Sequence, residues 1–223
     1  MSEPVETLRQ LPPREAITPH LQFRGVEEWE VPVLRLIAEQ GAIPLDQFAR
    51  FLKCDLEHTD IALERLVQGG LAEHEKLLVD EPEWVWLTRR GMKASGTGFL
   101  RYQPRPAAFA RIRVLNEVRL RVRDRAPAAR WISGRTLVQE CGVKGHQPNA
   151  VVEDDGERHA ILIKNGCPQS FEYERQVVEA LLPHYDAVIA FCASGMRMDR
   201  LHRLAAKNAW PKLIIRPLPE PPE

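Results

Sequence analysis

Between Val31 and Gln68 apolar residues recur at helical spacing in three blocks. "VPVLRLIAEQG" predicts a helix with proline near its start and Gly41 at its end. "PLDQFARFLKC" predicts a second, with Leu45, Phe48, Ala49 and Leu52 on one face. "DIALERLVQGG" predicts a third, capped by Thr59 or Asp60 and ended by Gly69-Gly70. The pattern then turns extended. A strand from Leu71, a turn at Glu81-Pro82 and a return strand over Trp84–Leu87 make a hairpin. Pro104 and Pro106 argue against a helix in "GTGFLRYQPRPAAF". "AFARIRVLNEVRLRVRDRAP" follows as an amphipathic helix, with Ile112, Leu115, Val118 and Val122 as its stripe.

The second half changes character. "WISGRTLVQE" reads as a short extended piece and a turn of helix. "NAVVEDD" and "RHAILIK" flank Asp155-Gly156, a favoured hairpin dipeptide. Then come a helix ending before Pro183, the apolar strand "YDAVIAFCA", the helix "MDRLHRLAAKNAW" and a last strand in "PKLIIRPLP". An unbroken apolar strand belongs inside a sheet.

Helix, helix, helix, hairpin is the order of a winged helix-turn-helix. Helix, strand, strand, helix, strand, helix, strand is the core order of the PD-(D/E)xK nuclease fold. The expected class is therefore α+β to α/β. The expected organisation is a flexible arm over 1–25, a winged helix over 26–98, a linker over 99–108, a nuclease-like domain over 109–219 and a tail over 220–223.

Composition excludes little. The 223 residues carry 31 basic and 31 acidic side chains, so net charge names no partner. The distribution says more: Val31 to Leu87 holds eleven acids against five bases, whereas Arg101 to Arg130 holds nine arginines against Glu117 and Asp124. The four cysteines, Cys54, Cys141, Cys167 and Cys192, form no C-x-x-C pair and read as reduced thiols of a cytoplasmic protein. No run suits a membrane span, and no basic-then-apolar leader opens the chain. The histidines show no zinc spacing, Ser133 and Ser194 have no triad context, and no phosphate-cradling glycine loop is present. No cofactor is expected.

Nucleic-acid binding would rest on Arg65 and Gln68 of the third helix, on Arg89, Arg90 and Lys93 after the wing, and on Arg111, Arg119, Arg123 and Arg125 of the basic helix. The third helix also carries Glu57, Asp60 and Glu64, which repel phosphates. A winged helix that packs on another protein is the competing reading.

The order winged helix, "NEVRLRV", "WISGRTL", "HQPNAVVEDDGERHAILIK", "YDAVIAFC", "IIRPLP" resembles the replication-relaxation family over about residues 26 to 219. The resemblance implies a winged helix fused to a nuclease-like module and a role on plasmids and mobile elements. It also marks a departure. Relatives carry "H-x-P-D-A" and then "V-E-V-E"; this chain has Asn149 for the aspartate and Leu162 and Lys164 for the two glutamates. Mg²⁺ needs hard oxygen ligands, carboxylates above all, and Leu162 supplies none. No metal site is expected, and Asn149, Leu162 and Lys164 stand as remnants, with Lys164 a phosphate binder at most.

Three functions fit these residues. The first is a non-catalytic protein of plasmid replication or transcription control that holds duplex DNA, with the nuclease-like module as scaffold or dimerisation unit. The second is a metal-dependent nuclease whose acid has moved to Glu153, Glu172 or Glu174. The third is an adaptor whose acidic winged helix meets a protein partner.

Overall fold

A computed structural model of the chain describes residues 25–79, 81–102, 105–141, 146–164, 171–193 and 195–219. The expected arm and tail lie outside these residues, Gly25 apart. The fold is mixed α and β, with eight α-helices and two sheets among the described residues. Its contacts divide it into two units, 1–112 and 113–223.

In the first unit, helix α1 (Glu30–Gln40) leads into the short strand β1 (Ala42–Pro44), then α2 (Leu45–Leu52) and α3 (Leu56–Gln68). Strands β2 (Ala72–Glu75) and β3 (Trp84–Leu87) form the hairpin, and α4 (Arg89–Ala94) follows. The sheet order is β1-β3-β2, antiparallel throughout. β1 was not visible as a periodicity: three residues show no alternation, and all three are buried. Gly41 ends α1 at φ 84°, and a Cβ there would press on the Tyr102 ring.

Two expectations about this unit are corrected. The cap of α3 is Asp55 rather than Thr59 or Asp60. Its carboxylate accepts from the His58 backbone N–H at 2.9 Å, so the helix starts a turn earlier, and Thr59 is buried donating its hydroxyl to Asp55 O at 2.7 Å. The backbone and ring hydrogen bonds from His58 also hold the Asp55 carboxyl below its usual range. A depressed acid contributes stability above its unfolded pKa and loses it as pH falls through the folded one. Asp55→Ala is therefore expected to melt below the native chain at neutral pH. The two melting temperatures should converge as acid titrates the carboxyl, which a pair of thermal melts across pH checks.

The second correction concerns the segment after the return strand, where no helix was expected: Arg89–Ala94 form α4. The Thr88 hydroxyl donates to Gly70 O at 2.7 Å and accepts from Gly91 N at 3.0 Å, joining the end of α3 to the start of α4. Gly91 is packed so closely on Leu71 that a Cβ would lie 1.9 Å from the Leu71 carbonyl oxygen.

Helix α5 (Pro106–Arg125) starts earlier than the prolines suggested, because proline at the first helical position lacks only an N–H that had no helical partner anyway. It also spans the boundary between the units. Phe109 and Ile112 join the core of the first, where Phe109 stacks on Trp84 with ring centroids 4.6 Å apart. Val118 joins the core of the second, with Val114, Leu115 and Val122 packed around it. The helix is not simply amphipathic: Asn116, Glu117, Val118 and Leu120 are all buried, and these positions run around its circumference.

The second unit continues with β4 (Arg130–Ser133), α6 (Gly134–Cys141), β5 (Ala150–Asp154), β6 (Glu157–Lys164), α7 (Phe171–Leu181), a 3-10 turn (Leu182–His184), β7 (Ala187–Cys192), α8 (Met196–Asn208) and β8 (Leu213–Pro217). Sheet order follows chain order, β4 to β8. β4, β5 and β6 pair antiparallel, whereas β6, β7 and β8 run parallel. The alternation of β6 separates two cores. Ala160 and Leu162 meet Val177, Val178 and Leu181 of α7 and Leu201 and Leu204 of α8. Ile161 and Ile163 meet Val118 of α5 and Ala150 and Val152 of β5.

Candidate functional site

The surface expected to meet DNA is differently built from its sequence. Helix α3 exposes Leu56, Glu57, His58, Asp60, Glu64 and Gln68, so its open face is acidic. Arg65 is not displayed beside Gln68. Its guanidinium lies 5.8 Å from the Trp29 ring centroid and 3.5 Å from a Glu27 carboxylate oxygen. Arg90 is also structural, donating to Gly69 O at 2.7 Å. Arg89 and Lys93 are exposed on α4. They line an open groove with Met92, Phe99, Leu100 and Arg101. Arg101 in turn grips Glu73, with Nη2 at 2.7 and 2.8 Å from the two carboxylate oxygens.

The arginines of α5 divide likewise. Arg111 and Arg125 are exposed. Arg119 lies over the Trp131 ring at 5.8 Å, and Arg123 pairs with its neighbour Asp124 at 2.8 Å. The ridge of arginines drawn from the sequence is thus reduced, because half of those side chains serve intramolecular contacts.

The positions expected as nuclease remnants come together, at the carboxyl ends of β6 and β7. Asn149 precedes β5, and its side-chain oxygen accepts from Ile163 N at 2.7 Å. That oxygen is engaged by the backbone of the neighbouring strand. Leu162 is 3% exposed, inside the core under α7 and α8. Lys164, the last residue of β6, is half-buried and pairs in register with Cys192, the last of β7. Burial holds the Lys164 amine below its ordinary range; Glu174 pulls it back up, and the charge of Arg197 pushes it down again.

The acids proposed as substitutes fare unequally. Glu153 pairs with Arg130 and Arg158. Its cross-strand partner Arg158 lies six residues from Lys164 along β6, about 20 Å at strand rise, so it cannot share a metal with Lys164. Glu172 is exposed and accepts from Arg175 and Gln176. Glu174 is near enough to act on Lys164 electrostatically, yet it is 2% exposed and its carboxylate lies 3.1 Å from Arg200 Nε. No cluster of three or more His, Cys, Asp or Glu side chains suited to a metal exists among the described residues.

Sequence reasoning missed the basic residues of this site. Arg197 donates to Lys164 O at 2.6 Å, and Arg200 closes on Glu174. Their i,i+3 spacing, which puts both on one face of α8, was the available signal. His146 also gains a partner: its ring meets Tyr173 edge-on, with centroids 5.3 Å apart. Other candidates resolve into structural roles. The Ser133 hydroxyl accepts from Thr136 N at 3.1 Å at the start of α6, Cys192 is buried, and Trp84 and Trp86 are core. Cys167 and Ser194 lie outside the described residues, as does the side chain of Cys141.

The chain matches no protein-family model and no curated protein sequence. No helix among the described residues is long and apolar enough to cross a membrane.

Proposed function

We propose that this chain binds duplex DNA without cutting it, and that it pairs a winged helix with a nuclease-like module whose metal site has been lost. The order α1-β1-α2-α3-β2-β3 with sheet order β1-β3-β2 supports the winged-helix reading. A mixed sheet, antiparallel over β4 to β6 and parallel from β6 onward, supports the nuclease-like reading. The observation that carries the loss of chemistry is Leu162. It fills the core at the position where the resemblance requires a carboxylate, while the nearest acid, Glu174, is held by Arg200. Metal-assisted hydrolysis needs an ion to activate water and to stabilise charge on the phosphate, and Leu162 offers no oxygen to hold one. A role on plasmids or mobile elements is part of the proposal and rests on the replication-relaxation resemblance alone.

Contact falls to the exposed cations: Arg89 and Lys93 on α4, Arg111 and Arg125 on α5. The acidic face of α3 is unsuited to the major groove, so binding is dominated by phosphates and weakly selective for sequence. Titration of labelled duplex across a salt series tests this. Four phosphate contacts give a log–log slope of about −3.6. Arg89→Ala with Lys93→Ala should flatten it by about 2. Metal should change neither the binding nor the integrity of the DNA. Absence of binding at low salt sinks the proposal.

A second reading is favoured by one observation. Glu57, Asp60 and Glu64 remain exposed on α3, whereas Arg65 is folded back on Trp29. That surface suits a basic protein partner, and charge reversal of the three acids would weaken such a complex while strengthening, not weakening, DNA binding.

A further inference from the structure

We propose that Lys164 is an imine-forming amine, which condenses with the aldehyde of a phosphorylated sugar. The inference rests on the DNA-binding reading for one source of that aldehyde, an abasic nucleotide, and is independent of it for the other, a free sugar phosphate.

Position comes first. Lys164 ends β6 beside the parallel strand β7, and the carboxyl ends of parallel strands are where open α/β sheets collect ligands. Its stem rises from an apolar wall, with Leu162 one alternation below and Cys192 opposite. The amine has no hydrogen-bond or ion-pair partner among the described residues. The carboxylate best placed to hold it as an ammonium, Glu174, is closed on Arg200 at 3.1 Å. Arg197 is tied to the carbonyl of Lys164 itself at 2.6 Å and adds a second positive charge to the neighbourhood.

Burial and the charge of Arg197 push the amine one way, and Glu174 and Cys192 pull it back. A half-buried amine beside a guanidinium, with its nearest acid already paired, favours the neutral form over the ammonium, and burial holds its pKa below the ordinary range. The neutral amine is the nucleophile, and a desolvated lysine next to another cation is a recurrent Schiff-base former. The charge of Arg197 beside the amine favours an aldehyde that carries a phosphate. The step balances without a co-reactant. The nitrogen lone pair adds to the carbonyl carbon, a proton moves to the oxygen, and the carbinolamine loses water to leave a reversible C=N bond.

The test uses the full chain with two probes, each in the presence of borohydride, whose hydride reduces an imine to a stable secondary amine. One probe is labelled duplex containing a single abasic site; the other is pyridoxal phosphate. The expected result is a covalent adduct mapped to Lys164 with at least one probe. Lys164→Arg, which keeps the charge, should lower it by at least about tenfold while leaving the melting temperature and the affinity for intact duplex unchanged. Trapping should also persist to lower pH than at surface lysines, with Glu174 of α7, Cys192 of β7, and Arg197 and Arg200 of α8 as the groups that set the profile. Capture of abasic duplex assigns the source to DNA, and capture of pyridoxal phosphate alone assigns it to a small phosphorylated aldehyde. A Lys164 adduct in a chain that does not bind intact duplex would defeat the DNA reading and leave this one standing. Binding of intact and abasic duplex with no adduct at Lys164 from either probe overturns the proposal, as does modification spread evenly over the exposed lysines.

Discussion

Leu162→Glu, which installs the acid that the family resemblance implies, is expected to unfold the second unit rather than give a nuclease. Leu162 is 3% exposed and touches the core under both α7 and α8. Its replacement loses about 1.5–3 kcal/mol of burial and adds the cost of taking a carboxylate out of water, several kcal/mol more. Lys164 lies on the same face of β6, but one amine at the end of the strand does not compensate an acid placed inside the core. Denaturant unfolding should show a marked loss of stability, and a plasmid-nicking assay with Mg²⁺ or Mn²⁺ should stay blank. Leu162→Ala separates the two terms, with an expected cost of about 2–5 kcal/mol from lost burial and the cavity together. Native stability together with metal-dependent nicking in Leu162→Glu would mean that the site is dormant rather than lost.

Arg200→Ala should carry the second large effect. The Glu174 carboxylate is 2% exposed and Arg200 is the cation 3.1 Å from it. Removing one member of a buried pair leaves a charge without its counterpart and typically costs about 3–5 kcal/mol. Replacing both members, Glu174→Leu with Arg200→Met, should recover most of that loss, because an apolar contact between α7 and α8 needs no desolvated charges. A double-mutant cycle in denaturant measures the coupling. A single-variant cost within about 0.5 kcal/mol of zero, the range of ordinary surface changes, would show that the pair does not hold these helices together.

The two predictions rest on features of very different legibility. The helices α1 to α3 and the two hairpins stand in the sequence because their apolar residues keep a period over many positions. β1 does not, since Ala42–Pro44 is too short to show one and becomes a strand only by pairing with β3. The α4 helix was hidden because Thr88 serves as a cap through contacts with Gly70 and Gly91, partners far apart and near in sequence at once. The same limit applies at the site. That Asn149, Leu162 and Lys164 gather at one end of the sheet follows from strand order. That Glu174 faces Lys164 while being tied to Arg200 depends on how α7 and α8 pack, and local sequence does not encode that. Charge was the least reliable guide. Arg65, Arg90, Arg119 and Arg123 looked alike as candidates for DNA, and each is engaged within the protein.

The order β1-β3-β2 also has a consequence for synthesis. β1 hydrogen-bonds to β3 and not to β2, so its partner leaves the ribosome only after α2, α3 and β2 have emerged. Until then Ala42 and Ile43, both fully buried in the finished fold, have no strand to cover them. The nascent first unit therefore persists as a set of helices with an open apolar edge, and closes when Trp84–Leu87 and the Gly91 contact behind it arrive. The interval between Pro44 and Trp84 is thus the stretch of synthesis over which this apolar edge stays open.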